Sequence, residues 1–236
     1  MASTEFDPYE TEEMTIASVS ANKTVITVTE PFKYKHFAAI ETYGSEDFVM
    51  RAEVGLLTRN IVMQGENSED EDYGSHLMMF GKQNTGLEGK ISYAEFTKCG
   101  QPKIVGRYCT HFHMAGEVPD SYVRGISVHH SKARVLTIHG THRLLVEKNV
   151  GYHVKGHNIF LEDGIETMNV IQDNLMMTSI ASHTLLQSDT SVASYWITNP
   201  TNIVRRNHAA GGEFYGFWYE IKEHPDGPSA TSDICP

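Results

Sequence analysis

The chain has 236 residues, and a β-rich domain of this length can bury a full hydrophobic core. Its Lys and Arg total 19 against 30 Asp and Glu, so the net charge is −11. This argues against nucleic acid as a partner, because phosphate binding uses clustered cations. No apolar run reaches the roughly 18 residues of a transmembrane helix, so we expect no membrane contact from this segment itself.

The first region, residues 1–58, is predicted to be a short N-terminal β segment. Its apolar runs are short, rich in Val, Ile and Thr, and partly alternate with polar residues, which is typical of strands. No window of about a dozen residues carries the apolar stripe of a helix. The strand candidates are residues 15–19, 25–28 and 48–54, with residues 37–40 as a poorer one.

A dense acidic stretch follows at residues 66–72. Calcium prefers several oxygen ligands, so a carboxylate loop of this kind is a candidate calcium site. The stretch lacks the spaced ligands of an EF-hand, however, and a solvated surface loop is the more ordinary interpretation.

The three cysteines do not form a closed disulfide framework, because their number is odd. Cys99 and Cys109 either pair with each other or remain as buried free thiols. Cys235 is then left to pair with a cysteine outside this chain.

Residues 59–236 repeat one pattern, in which a short apolar run leads into a polar cluster that ends near Asn or Ser. An irregular period of roughly 20 to 35 residues is typical of a solenoid, so this region is predicted to be an all-β parallel β-helix. We expect two strands per coil and an extra loop between residues 176 and 191. The first strands are residues 91–95, 126–131, 145–149, 170–174 and 203–207, and the second are residues 108–113, 135–139, 158–163, 194–199 and 216–220.

A ladder of polar residues is predicted where the first strands end. Identical amides at equivalent positions of stacked coils hydrogen-bond along the stack. The expected members are Ser131, Asn149, Asn174 and Asn207. We expect this ladder to hold turns rather than to perform chemistry.

The second strands carry the candidate functional site. Side chains alternate along a strand, so an apolar residue that points into the coil places the next residue on an outward column. Neighbouring rungs of that column lie about 4.8 Å apart. The column is predicted to contain His113, His139 and Glu162, with His111 and Asp163 flanking it.

Imidazoles and carboxylates at this separation suit three kinds of chemistry. They can ligate a divalent metal such as zinc or calcium, act as general acid and base, or hydrogen-bond one another in a polar groove. The candidate catalytic residues are His113, His139, Glu162 and Asp163, and the candidate metal ligands are His111, His113, His139 and Glu162.

Further side chains are candidates for the same face. Glu166 follows a glycine turn and is expected to fold back toward the site, where paired carboxylates are the minimum for glycoside cleavage. A local basic patch could come from Arg107, Arg124, Arg134 and Arg143, and a sugar-stacking platform from Tyr195, Trp196, Phe217, Trp218 and Tyr219. Surface or turn positions are expected for His129, His130, His142, His153 and His157.

Several motifs, in their order along residues 50–236, resemble the fibrocystin-L family. They are residues 106–113, 122–125, 137–140, 160–166, 196–200, 202–205, 209–212 and 216–219. That family is similar in turn to the cell-surface hyaluronidase and the cell migration-inducing hyaluronan-binding protein. The resemblance implies a right-handed parallel β-helix on the extracellular face of the cell surface, within a larger membrane-anchored or secreted protein. It also implies that residues 1–58 include the end of a glycine-rich eight-glycine domain.

The resemblance implies two functions of different classes. In the first, the β-helix is a binding or structural module that presents a polar face to a glycan such as hyaluronan or to a surface protein. In the alternative, it is a hyaluronidase-like hydrolase that uses the stack of histidines and carboxylates, with or without a metal.

Overall fold

The structure is a computed structural model, which describes residues 1–66, 72–82, 85–184 and 186–230. The chain divides into two compact units, Met1–Gly55 and Leu56–Pro236. Within the described ranges, no helix has the length and apolar character needed to cross a bilayer. Most of the acidic stretch (residues 67–71) and Cys235 lie outside the described residues, so the calcium loop and the pairing of Cys235 stay predictions.

The first unit contains two antiparallel strand pairs. Strand β1 (Ile16–Val19) pairs with β2 (Ile26–Val28), and β3 (Ala38–Tyr43) pairs with β4 (Glu46–Arg51). The poorer strand candidate of the sequence lies mostly in β3. It forms a regular strand because β4 pairs with it along its whole length, which local propensity does not reveal.

The second unit is a parallel β-helix, as predicted, and is built from three parallel sheets. Each complete coil contributes one strand to each sheet. Sheet I contains β7 (Lys90–Ser92), β10 (Tyr122–Arg124), β13 (Leu145–Glu147), β16 (Val170–Gln172) and β19 (Ile203–Arg205). Sheet II contains β5 (Ile61–Gln64), β8 (Ala94–Thr97), β11 (Ser127–Ser131), β14 (Val150–Lys155), β17 (Leu175–Ile180) and β20 (His208–Ala210). Sheet III contains β6 (Leu77–Phe80), β9 (Thr110–Glu117), β12 (Leu136–His142), β15 (Ile159–Leu161), β18 (Ala193–Ile197) and β21 (Tyr215–Tyr219).

The prediction of two strands per coil is wrong, because its first strand merges strands of sheets I and II. Residues 145–149 begin with β13 of sheet I, whereas residues 126–131 consist mainly of β11 of sheet II. A corner residue with φ between 51° and 62° turns the chain sharply between the two sheets, so no polar loop marks the boundary. These corner residues are Tyr93, Gly125, Lys148, Asp173 and Arg206.

The asparagine ladder is confirmed for three of its four predicted members. Asn174 Oδ1 accepts hydrogen bonds from N and Nδ2 of Asn149, both at 3.0 Å, and Asn207 Oδ1 accepts one from Asn174 Nδ2 at 2.9 Å. Ser131 is not a member, because it ends a strand of sheet II and its hydroxyl donates to a nearby backbone carbonyl. At the position expected for Ser131, the backbone N–H of Ile126 donates a hydrogen bond to Asn149 Oδ1.

The core lies between the three sheets and fixes the register of sheet III. Phe112, Ile138 and Leu161 form an inward column, and each has 0% exposure. They pair in register across β9, β12 and β15. Because a slip by one residue would turn this whole column toward solvent, burial also determines which side chains face outward.

Cys99 and Cys109 form a disulfide, which decides between the two alternatives for these cysteines. Both are fully buried. The bond closes the loop of residues 100–108 directly ahead of β9. This loop lies against the outward face of sheet III through Gly106 and Tyr108, as described below.

Candidate metal centre

Sheet III brings the predicted site residues together on its outward face. His139 is paired in register with His113, and Ile138 is paired with Leu161, so Glu162 follows on the next rung of the same column. The predicted register is therefore observed. The chemical roles assigned to these residues stay predictions.

His111 is 2% exposed, and its ring is held in one tautomer. Its Nδ1 donates a hydrogen bond to the carbonyl oxygen of Gly106 at 2.8 Å, because a carbonyl can only accept. Nε2 therefore carries a lone pair. This atom is buried and has no hydrogen-bond partner among the residues that the structure describes. A carbonyl that fixes one ring nitrogen and leaves the other as a ligand is typical of metal-binding histidines.

His139 has a similar arrangement, with a carboxylate in place of the carbonyl. Its Nε2 donates to Asp163 Oδ2 at 2.9 Å, and that oxygen also accepts a hydrogen bond from the Ser229 hydroxyl at 2.7 Å. The other nitrogen, Nδ1, lies 3.1 Å from Nδ1 of His113 and 3.5 Å from Oε2 of Glu162. A carboxylate partner of this kind orients the ring and makes the free nitrogen a stronger ligand.

Burial shifts the pKa of each of these groups, and at His139 other effects outweigh it. It lowers the pKa of His111 to about 3, so this imidazole is neutral at physiological pH. Burial also lowers the pKa of His113, and the neighbouring His139 adds to the effect. Burial acts in the same direction on His139, but the hydrogen bond to Asp163 and the nearby carboxylates outweigh it and raise its pKa. The pKa of Glu162 is raised by burial.

The spacing of the ring nitrogens fits a four-coordinate divalent transition metal. One nitrogen from each of His111, His113 and His139 lies within 4.8 Å of the others. With bonds of about 2.0 Å, tetrahedral ligands lie about 3.3 Å apart. The distance of 3.1 Å from His139 Nδ1 to His113 Nδ1 is close to this value. Imidazole nitrogens suit zinc, whereas calcium prefers oxygen ligands. Of the two predicted metals, the donor atoms therefore favour zinc.

The cluster opens toward solvent on one side. His113 is partly exposed and the Glu162 side chain is 24% exposed, whereas His111 and His139 are almost completely buried. The exposed ring of Phe80 lies 5.5 Å from the ring of His113. A ligand that approaches from solvent therefore meets His113, Glu162 and Phe80 first.

Glu166 folds back toward the site, as predicted, but its carboxylate accepts hydrogen bonds from the backbone. It accepts hydrogen bonds from the N–H groups of Gly140, Asp163 and Gly164 at 2.8, 3.1 and 2.9 Å. The side chain is fully buried. Glu166 therefore stabilises the turn that presents Asp163, and it is not the second carboxylate of a reacting pair.

The predicted basic patch is wrong for two of its four arginines. Arg134 is 2% exposed, because its Nε donates to Asp189 Oδ1 at 2.9 Å and its guanidinium lies 3.7 Å from the ring centroid of Phe160. Arg124 lies in sheet I, where its Nε pairs with Glu147. A buried, paired arginine and one on another sheet do not offer a shared cationic surface.

The aromatic residues of sheet III divide between packing and exposure. Tyr195 and Trp196 are buried, so they do not form the predicted platform. Trp218 stacks on Trp196 with 5.8 Å between ring centroids and is 36% exposed. Exposed aromatic surface is therefore found on β21 and at Phe80, rather than along the whole column.

Two histidines that were expected at the surface or in turns are buried. His157 is fully buried, since its Nδ1 accepts a hydrogen bond from Ala193 N at 2.9 Å and its Nε2 lies 3.1 Å from the carbonyl oxygen of Ser188. His129 packs inside sheet II, where its Nε2 lies 3.1 Å from Glu95 Oε1. Both are satisfied by protein partners, which is the ordinary role of a core histidine.

Two residues near the cluster, Tyr108 and Asp189, were not predicted to have a role. Tyr108 places its ring 5.1 Å from that of His111. Asp189 comes from the extra loop, which is observed as residues 181–192 and contains a 3₁₀ helix, Gln187–Thr190. Tyr108 could have been suspected, because an aromatic residue three positions before His111 lies close to it in sequence. Asp189 could not, because it reaches Arg134 across 55 residues of sequence.

Removal of the disulfide should loosen this site. In the Cys99→Ala/Cys109→Ala variant, the loop of residues 100–108 is no longer closed, so Gly106 holds His111 less firmly. We expect the free energy of unfolding to fall by about 2–4 kcal/mol and the zinc affinity to fall about tenfold. Urea denaturation and calorimetric zinc titration measure the two effects. An unchanged zinc affinity in a destabilised variant would show that the loop does not position His111.

The chain is a parallel β-helix whose outward face carries a cluster of histidines. The family model for the CEMIP beta-helix matches residues 72–235, and the chain belongs to this family. Fibrocystin-L of Mus musculus is 38% identical over 96% of this chain and 6% of its own length. The human cell surface hyaluronidase CEMIP2 is 33% identical over 98% of this chain and 19% of its own length.

The mouse cell migration-inducing and hyaluronan-binding protein is also similar, at 34% identity over 97% of this chain and 20% of its own length. These matches confirm the resemblance to fibrocystin-L and to the CEMIP proteins. The chain spans a fifth or less of the length of these relatives.

Proposed function

We propose that this chain is a β-helix module that binds an acidic glycan and cleaves it at a divalent metal centre held by His111, His113 and His139. The observation that carries the proposal is the buried Nε2 lone pair of His111. Its tautomer is fixed by Gly106, and the described residues offer Nε2 no hydrogen bond. A metal ion is the partner that such a nitrogen best fits, because the other two imidazoles lie within 4.8 Å.

Glu162 has the position of a proton acceptor in this proposal. Its Oε2 lies 3.5 Å from His139 Nδ1, and burial raises its pKa toward the range useful for general acid–base chemistry. A bound zinc-type ion supplies Lewis acidity that activates water. Glu162 would accept the proton of that water as the water oxygen bonds to the sugar carbon. It would return the proton to the sugar oxygen that leaves when the glycosidic bond breaks. Asp163 would orient His139 rather than contact the substrate.

The choice of an acidic glycan as the substrate rests on the names of two relatives and on an exposed aromatic ring beside the histidine cluster. One relative is named a cell surface hyaluronidase and another a hyaluronan-binding protein. On this chain, the exposed ring of Phe80 beside His113 offers a flat apolar surface of the kind on which sugars stack. Hyaluronan is therefore the first substrate to test.

The proposed location is the extracellular face of the cell surface, within a larger protein. The support is the disulfide between Cys99 and Cys109, since disulfides persist in oxidising environments. The name of the related cell surface hyaluronidase points in the same direction.

The second candidate is a module that binds a glycan or a surface protein without cleaving it. The near-complete burial of His111 and His139 favours this candidate, because a metal shielded from solvent holds structure together instead of activating water. The two candidates share the metal and differ in whether the remaining coordination position is open.

Digestion of labelled hyaluronan tests the proposed function. The zinc-loaded chain should shorten the polymer, a chelator should stop the reaction, and added zinc should restore it. Glu162→Gln should slow cleavage about 10²–10⁴-fold with zinc content unchanged, whereas the exposed Glu88→Gln serves as the matched control. Intact hyaluronan with every divalent ion would reject cleavage, and hyaluronan binding without cleavage would favour the second candidate.

A further inference from the structure

The outward face of sheet III holds two more buried hydroxyls that the proposed reaction does not use. Tyr108 OH and Thr137 Oγ1, like His111 Nε2 and Glu162 Oε2, have no hydrogen-bond partner in the described part of the chain. We call these four the orphan atoms. Proteins keep few buried polar atoms without partners. Four on one face indicate that a bound group completes their hydrogen bonds.

The register and the ring contacts bring three of the four residues that carry orphan atoms together. Thr137 is paired with His111, and both side chains face outward because the next residue of each strand is in the core column. The ring of Tyr108 lies 5.1 Å from that of His111, and the Arg134 guanidinium stacks 5.0 Å from the Tyr108 ring centroid. Tyr108 therefore covers the column where His111 and Thr137 meet.

Packing alone does not explain the Tyr108 hydroxyl. A phenylalanine ring would fill the same space between Arg134 and His111 without taking a hydroxyl out of water. Tyr108 is 2% exposed, and its hydroxyl lies near the Gly106 backbone without a hydrogen bond of good geometry among the described residues. A phenol hydroxyl can donate a hydrogen bond as well as accept one.

We propose that Tyr108 is a positioning residue of the metal centre, whose hydroxyl hydrogen-bonds the exchangeable ligand of the ion held by His111, His113 and His139. The proposal rests on the proposed metal site. The exchangeable ligand is the water molecule, or the anion that replaces it, in the position that the three imidazoles leave open.

Cobalt(II) binding to the 236-residue chain tests this role, with Tyr108→Phe as the variant and thiocyanate as the anion. The variant should still bind one equivalent of cobalt. Its visible absorption bands should shift, and its thiocyanate affinity should change about tenfold, the effect typical of losing an outer-shell partner. Thr137→Val should alter the same bands, since Thr137 is paired in register with His111.

Tyr195→Phe is the matched control, because Tyr195 is also buried but its hydroxyl donates to the carbonyl oxygens of Asn174 and His208. This variant should unfold more easily and leave the cobalt spectrum unchanged. The metal-free Tyr108→Phe chain should be at least as stable as the unchanged chain, since its hydroxyl has no partner among the described residues.

Two results would overturn the proposal. The first rejects only the role of Tyr108, and the second also rejects the metal centre. A cobalt spectrum and a thiocyanate affinity that are identical in Tyr108→Phe and the unchanged chain reject the role of Tyr108 alone. The absence of any cobalt spectrum from the unchanged chain rejects the metal centre, and the role of Tyr108 with it.

Discussion

Replacement of His111 by phenylalanine should abolish stoichiometric zinc binding while the β-helix stays folded. His111 gives the cluster a neutral nitrogen whose proton is fixed on the opposite side of the ring by Gly106. Loss of a direct ligand should weaken zinc binding by more than the roughly 10–100-fold that loss of an outer-shell partner causes. Calorimetric titration with zinc measures the effect. The aromatic ring of phenylalanine preserves the packing against Tyr108.

His142→Phe is the control for this experiment. His142 lies in the same sheet, on the neighbouring strand β12, but its Nδ1 contacts Thr167 Oγ1 at 3.0 Å rather than the cluster. This variant should bind zinc as the unchanged chain does. Equal zinc affinity in the His111→Phe and unchanged chains would exclude His111 as a ligand.

Replacement of Asn174 by alanine should destabilise the β-helix strongly. The Asn174 side chain accepts two hydrogen bonds from Asn149 and donates to Val146 O and Asn207 Oδ1. Alanine leaves these groups buried without their partners, at about 1–3 kcal/mol for each unsatisfied group. We expect the free energy of unfolding to fall by roughly 3–5 kcal/mol, as measured by urea denaturation.

The neighbouring Asp173→Asn variant is the control for the ladder. Asp173 has a φ of 58°, which asparagine also tolerates, and its carboxylate pairs with Arg206 at the exposed surface. Its effect on stability should be far smaller, because exposed ion pairs contribute little. Equal destabilisation by the two substitutions would contradict the role of the ladder.

The register of sheet III could be predicted because apolar and polar residues alternate along its strands, and the apolar ones form the core column. Phe112, Ile138 and Leu161 are each followed by a residue of the outward column. A buried column of this kind tolerates no slip by one residue. The juxtaposition of His113, His139 and Glu162 follows from it, although they come from three different coils.

The number of sheets could not be predicted, because four of the five corner residues between sheets I and II are neither Gly nor Pro. Lys148, Asp173 and Arg206 adopt positive φ there, and two of these are residue types that rarely do so. The N–H of Lys148 donates to Gln172 O and that of Asp173 donates to Arg205 O, each in the next coil. A second asparagine ladder, Asn169 and Asn202, was not predicted either.

The surroundings of the three clustered histidines could not be predicted either, because loops supply them. Gly106 is brought to His111 by a loop that a disulfide closes, and Ser229 reaches Asp163 across 66 residues of sequence. Such contacts depend on loop paths rather than on strand periodicity. The three histidines themselves lie on strands, so alternation reveals them.

Crystals of the zinc-soaked chain, measured on both sides of the zinc absorption edge, would show whether His111, His113 and His139 hold one divalent metal ion. We predict one anomalous difference peak about 2.0–2.1 Å from a ring nitrogen of each histidine. No anomalous peak at this cluster, in crystals that bind zinc elsewhere, would exclude a metal centre at these histidines.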